Sequence, residues 1–247
     1  MDEMLDLIMD GALKMGLNLT EGQALQICRY HDMLTRANAV TNLTRVPDDP
    51  REAVDRNYLD ALTPLAHARL TDGVRTLCDA GSGAGIPGIV LSIALPEVRV
   101  VMMDALGKRV AFLRQVIEAL NLNAEAHHTR LEDAGRNPAW RDSFDAVTAR
   151  AVAGLDVLVE LCMPLVRPGG HMIAYKGPAL DSEIAGAQKA IIALKGADAR
   201  VLDAPVPGRD WSHRLFVLGK AAPTPRAFPR KAGEAARHPL SGSKKEE

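Results

Sequence analysis

Apolar residues recur at helical spacing through the first part of the chain. Over Met4–Leu17 they fall at Leu5, Ile8, Met9, Ala12 and Leu13, which predicts an amphipathic helix. Thr20 followed three residues later by Gln23 has the pattern of a capping box and predicts a second helix, through Leu34. Asn38–Pro50 is polar and turn-rich, and Arg51–Leu70 resumes a helical pattern. From residue 71 to residue 220 the pattern changes: short apolar runs alternate with longer amphipathic ones, as in a parallel sheet with crossover helices. The predicted strands are Arg75–Asp79, Arg99–Asp104, Glu125–His128, Phe144–Ala149, His171–Tyr175, Arg200–Leu202 and Leu215–Gly219. Helices are predicted near Pro87–Ala94, Lys108–Leu120, Leu155–Leu165 and Leu180–Lys195. In the second of these Val110, Leu113, Val116, Ile117 and Leu120 form one apolar face. Residues 221–247 hold four prolines (Pro223, Pro225, Pro229, Pro239) and end in a short run of serine, glycine and charge, Ser241–Glu247, expected to be disordered. The reading is a helical extension over 1–70, an α/β domain over 71–220 and a C-terminal segment over 221–247.

Composition adds little to this picture and charge adds one feature. With 47% hydrophobic and 4% aromatic residues, the core must be built from Leu, Val, Ile and Ala. The formal net charge of −1 does not advertise a nucleic-acid binder, but Arg226, Arg230, Lys231 and Arg237 face Glu234 alone in the C-terminal segment. With Phe228 interleaved, that segment has the chemistry to grip phosphates and stack a base, or simply to keep a tail in solution. Arg45, Arg51 and Arg56 extend the possible basic rim. The cysteines Cys28, Cys78 and Cys162 are odd in number and lack paired spacing, so reduced, buried thiols are expected. No secretory leader and no membrane span are evident, which suggests a cytoplasmic enzyme.

The candidate chemistry lies in Asp79-Ala80-Gly81-Ser82-Gly83-Ala84-Gly85-Ile86-Pro87-Gly88. Glycines at alternate positions let a chain turn sharply and bring its amides close to a ligand. Alone, the pattern fits any strand-to-helix turn. Here a strand precedes it, a helix follows, and the next strand ends in Asp104, an acidic residue suited to a ribose. The spacing is Gly-x-Gly-x-Gly rather than the dinucleotide Gly-x-Gly-x-x-Gly, and Asp79 would repel a pyrophosphate but suit a cationic amino-acid tail. These features favour S-adenosylmethionine over a nicotinamide dinucleotide. His127 and His128 are adjacent on a predicted strand, point to opposite faces and form no metal site.

The chain resembles the bacterial 16S ribosomal RNA guanine-N7 methyltransferases, the glucose-inhibited division protein B family. The blocks that carry the resemblance are Asn42-Leu43-Thr44, Arg56–Asp60, Asp79–Gly88, Asp104–Arg109 with Phe112-Leu113, Arg130–Glu132, Ala149–Ala153, Tyr175–Gly177 and Phe228–Gly233 through Pro239-Leu240. Their order and spacing together are specific. Asn57 and Ala61 depart from the pattern, where the family usually has His and Ser. The resemblance implies a Rossmann-like class I S-adenosylmethionine-dependent methyltransferase fold, with a mostly parallel seven-stranded sheet. It implies cofactor contacts from Gly81, Ile86, Leu131, Glu132 and Arg150, beside Asp79, Gly83, Gly85 and Asp104 from the local reading. The implied partner is 16S ribosomal RNA or the small ribosomal subunit. A small-molecule methyltransferase and a non-catalytic RNA-binding module remain the rival readings.

Overall fold

The computed structural model describes residues 2–67 and 70–241. The end of the chain expected to be disordered lies, from residue 242 on, outside the described residues. Helices α1 (Asp2–Lys14) and α2 (Glu21–Thr41) open the chain, followed by α3 (Pro50–Ala53), a π-helical stretch Val54–Leu59 and α4 (Asp60–Leu62). The capping box at Thr20 is present, with Gln23 N–H donating to Thr20 Oγ1 at 3.2 Å and Thr20 N–H donating to Gln23 Oε1 at 2.9 Å. Helix α2 runs seven residues past the expected Leu34. Its end is set by Asn42 in the left-handed region (φ 46°) and by Asn38, whose Oδ1 accepts from Leu43 and Thr44 N–H.

Seven strands follow: β1 (Thr76–Ala80), β2 (Arg99–Asp104), β3 (Ala124–His128), β4 (Phe144–Arg150), β5 (Val166–Lys176), β6 (Gly196–Asp203) and β7 (Arg214–Lys220). Between them lie α5 (Gly88–Ala94), α6 (Gly107–Leu120), α7 (Leu131–Ala134), α8 (Leu155–Cys162) and α9 (Leu180–Ala193), and α10 (Glu234–Arg237) follows the last strand. They form one sheet in the order β3-β2-β1-β4-β5-β7-β6, with β7 antiparallel to both its neighbours and the other pairs parallel. The order reverses between β1 and β4, and in open α/β sheets that reversal opens a crevice at the strands' carboxyl ends.

Alternate residues of the strands feed two cores, as the two-residue period requires. Leu77, Val100, Met102 and Ala146 face α1, α2, α5 and α6, while Cys78, Val101, Met103 and Val147 face α8, α9 and the C-terminal segment. With both faces covered, the central strands are buried almost throughout. The N-terminal helices are bolted to the sheet's crossover helices by polar contacts as well. Gln23 Nε2 donates to Ile93 O and Ala94 O at the end of α5, and Gln26 Nε2 donates to Leu120 O at the end of α6. Each satisfies carbonyls that a helix terminus leaves open. All three cysteines are free and buried, as expected from their spacing.

Candidate functional site

The glycine loop leaves β1 at the reversal point and turns into α5. Its backbone needs glycine for two separate reasons. Gly81 (φ 73°) and Gly85 (φ 106°) lie where side chains are strained. A Cβ on Gly81 would stand 2.8 Å from Val152 Cγ2, and one on Gly85 would stand 2.5 Å from Ile89 Cγ1. The loop is pinned from below, where Gly81 and Ser82 N–H donate to Met103 O on β2. It is also pinned from the side, where Tyr30 on α2 donates its hydroxyl to Ala84 O at 2.8 Å.

Asp104 closes the loop's other flank. Its Oδ2 accepts from Gly83 N–H at 2.9 Å and its Oδ1 from Leu106 N–H at 2.8 Å, with Arg109 at 3.5 Å. Each carboxylate oxygen retains acceptor capacity, so the group is fixed in place and still able to take ribose hydroxyls.

Asp79 behaves differently from the expectation of a contact to a cationic tail. Its carboxylate is buried beneath the loop, where Oδ1 accepts from Thr148 Oγ1 at 3.0 Å and Oδ2 from Gly88 N–H at 3.2 Å. It positions the loop rather than facing the crevice. Burial pushes its carboxyl from an ordinary 3.8 up to about 6, against the opposing effect of those donors. A carboxyl that binds its proton more tightly when folded adds stability below about pH 4 that is lost as pH rises through 6. Asp79→Asn is therefore expected to raise the melting temperature at pH 7.5 and to flatten its decline between pH 4 and 6. An unchanged pH profile by differential scanning calorimetry would contradict this reading.

Arg150 ends β4. Its guanidinium spans to the helical extension, with Nη2 donating to Arg56 O at 2.8 Å and Nη1 lying 3.1 Å from Asp60 Oδ2. His213 Nδ1 lies 2.8 Å from Asp60 Oδ1 on the other side. Two adjoining cavities share Arg56, Arg150 and His213. One, of about 370 Å³, also has Asp60, Tyr175 and Lys176 in its wall; the other, of about 590 Å³, also has Arg45, Glu52 and Asn57. Arg56 stacks over Trp211 at 4.7 Å and Arg209 approaches the same ring at 5.2 Å, making a cationic, aromatic lip. Sequence reasoning missed Asp60, Arg209, Trp211 and His213. The clustered Arg-Asp-Trp-Ser-His-Arg run before β7 was the available signal.

Leu131 and Glu132 begin α7 at the end of β3, on the same edge of the sheet as Asp104. Both are buried, and Glu132 Oε1 accepts from Gly233 N–H at 2.7 Å, so the C-terminal segment reaches this corner. That segment corrects an expectation. Arg230, expected to grip phosphates, is spent on the buried Glu160 of α8: its Nε donates to Oε1 at 2.9 Å and its backbone N–H to the same oxygen at 2.9 Å. Phe228, expected to stack a base, packs against the core under α8. Arg141 donates to the carbonyls of Thr224, Pro225 and Phe228, holding the segment down. Arg226, Lys231 and Arg237 are exposed, and none is in the walls of the two cavities. Arg45 and Arg56 are in those walls, whereas Arg51 pairs with the buried Asp55.

The family described as rRNA small subunit methyltransferase G matches residues 23–207. A ribosomal RNA small subunit methyltransferase G from Lactobacillus johnsonii is 40% identical over 229 residues, covering 92% of this chain and 95% of its own length. One from Alkaliphilus oremlandii is 35% identical over 239 residues, covering 96% and 99%. The chain belongs to the rRNA small subunit methyltransferase G family. It is an S-adenosylmethionine-dependent methyltransferase. Solved structures agree on the fold: an O-methyltransferase from Bacillus cereus in complex with SAH superposes with a TM-score of 0.54 at 20% identity, over 78% of this chain and 91% of that one. Among the described residues no helix is long and apolar enough to cross a membrane, and no group of His, Cys, Asp and Glu is arranged to hold a metal. His127 Nε2 instead meets Glu125 Oε2 at 2.8 Å and its ring packs on Trp140.

Proposed function

We propose that this enzyme methylates N7 of a guanine in the 16S ribosomal RNA of the small ribosomal subunit, and that it works in the cytoplasm. The observation that carries the reading is the cavity walled by Arg56, Arg150, Lys176 and Arg214 at the end of β4, in a chain whose relatives are named for small-subunit ribosomal RNA.

The cofactor's cradle fits the group it must hold. Gly81, Gly83, Gly85 and Ile86 line the turn, Asp104 takes the ribose, Leu131 and Glu132 border the adenine, and Arg150 stands between the tail and the acceptor. Asp79 serves by fixing the loop. When bound, S-adenosylmethionine supplies a methyl group on a sulfonium. Guanine N7 has an in-plane lone pair and no proton at neutral pH, so no general base is required. Asp60 in the cavity wall is tied to Arg150 and His213, which helps to fix the guanidinium bordering the acceptor. What the residues must do is hold N7 in line with the methyl carbon, and orientation of this kind is worth on the order of 7–11 kcal/mol. Arg45 and Arg56 give phosphate contacts at the crevice, and Arg226, Lys231 and Arg237 give outlying ones.

Labelled S-adenosylmethionine offered together with purified small subunits, free 16S RNA and a metabolite pool tests the substrate class. Label in the RNA or the subunit is expected; label confined to metabolites would overturn it in favour of a small-molecule methyltransferase. Two further outcomes follow from the geometry. Asp104→Ala is expected to weaken cofactor binding at least tenfold by calorimetry, and unchanged affinity would remove the ribose assignment. RNA affinity is expected to fall steeply with salt. Arg45→Ala and Lys231→Ala each remove one cation from the phosphates, so each should make the log–log slope shallower by about 0.7–0.9. Arg230→Ala is not expected to show such a simple effect, because its guanidinium is already paired.

A further inference from the structure

The π-helical stretch Val54–Leu59 brings Asn57 to the wall of the larger cavity, beside Arg56 and Arg150. π-Helical turns are rare and collect at functional positions. Asn57 is only 6% exposed, and its Nδ2 has no hydrogen-bond partner among the described residues. An unpaired buried amide costs about 1–3 kcal/mol, and such a group calls for an explanation such as a partner supplied from outside. The turn that carries it is held against the sheet by Arg150, which donates to the carbonyl of the preceding residue, Arg56, at 2.8 Å. Arg150 ends β4, next to the strand that feeds the glycine loop, so Asn57 is fixed on the acceptor side of the cofactor cradle.

Resting on the guanine-N7 reading above, we propose that Asn57 orients the acceptor base, its carboxamide N–H donating to O6 of the guanine. O6 is the acceptor adjoining N7 on the purine edge. A donor aimed at O6 fixes the ring in its plane and leaves the N7 lone pair free for the methyl carbon. The carboxamide turns about its last bond to present its N–H, so binding needs no backbone movement.

A chemical double-mutant cycle tests this. Wild type and Asn57→Ala are assayed on small subunits carrying guanine, or 2-aminopurine, which lacks O6 but keeps N7, at the nucleotide the wild type methylates. On guanine, Asn57→Ala is expected to lose roughly tenfold in kcat/KM, with its melting temperature and cofactor affinity retained. Wild type is expected to lose a similar factor on 2-aminopurine, and Asn57→Ala to lose nothing further on that base. Two losses that multiply independently, or a wild type indifferent to O6, would overturn the role of Asn57. If that variant fails to fold, Asn57→Asp, which keeps the shape and lacks the N–H donor, takes its place in the cycle. If wild type forms no 7-methylguanosine at all, the functional reading itself falls, and that outcome is separate from an active enzyme lacking the coupling.

Discussion

Glu160→Ala is expected to destabilise the fold by about 3–5 kcal/mol, because it strands the guanidinium of Arg230 in a partly buried site without its partner. Glu160 is 1% exposed and accepts from the backbone N–H and the guanidinium of Arg230 together. Those bonds fasten the stretch that also delivers Gly233 N–H to Glu132, at the corner assigned to the adenine. Cofactor affinity should therefore fall with stability. Urea unfolding measures the first and calorimetry the second. Replacing both partners with apolar residues of similar length, Glu160→Leu with Arg230→Met, is expected to recover part of the stability, less the bond that the Arg230 main-chain N–H loses with its acceptor. A Glu160→Ala protein with an unchanged urea midpoint would show that the segment is a loose tail after all.

Gly85→Ala is expected to weaken cofactor binding at least a hundredfold. The residue sits at φ 106°, and a Cβ there would press on Ile89 at 2.5 Å and Leu113 at 2.9 Å. Strained backbone costs about 1–3 kcal/mol and overpacking about as much again. Neither neighbour is a flexible surface chain, since Ile89 and Leu113 are both buried, so the loop must move. A drop of a hundredfold or more in S-adenosylmethionine affinity, with a folded far-ultraviolet spectrum, is the expected result. Near wild-type affinity would mean that the loop's course does not govern the cofactor site.

The parts of the molecule legible in its sequence are those with a repeating physical signal. The alternation of strand and helix produced all seven strands and four of the five helices between them, and the glycine loop with Asp104 at the next strand's end marked the crevice. Misjudged boundaries have local causes. The apolar pattern starts β5 at His171, but the strand begins at Val166: Pro168-Gly169-Gly170 reads as a turn, and in the sheet it is a bulge, with Phe144 paired to Val166 and Ala146 to His171. Helix α7 is four residues long, too short for periodicity to register. The larger misreading is of Arg230. Its basic neighbours suggest a solvated, phosphate-facing run, while the decisive partner lies 70 residues away in an otherwise apolar helix. A single glutamate in Leu-Asp-Val-Leu-Val-Glu-Leu-Cys is the signal that a buried cation has to come from elsewhere. Lys220 makes the same point, since it is buried at the end of β7 and donates to Asp142, Thr224 and two main-chain carbonyls. The acceptor side is the least legible part. It is assembled from the π-helical turn, the end of β4 and the loop before β7, and the first of these lies 94 residues from the second, so no local pattern connects them.

The identity of the methylated nucleoside decides whether N7 of guanine is the acceptor. Small subunits methylated by the enzyme with labelled S-adenosylmethionine would be digested to nucleosides and separated. The label is expected to co-migrate with 7-methylguanosine, and label in a ribose-methylated, carbon-methylated or exocyclic-amine-methylated nucleoside would exclude N7 as the acceptor.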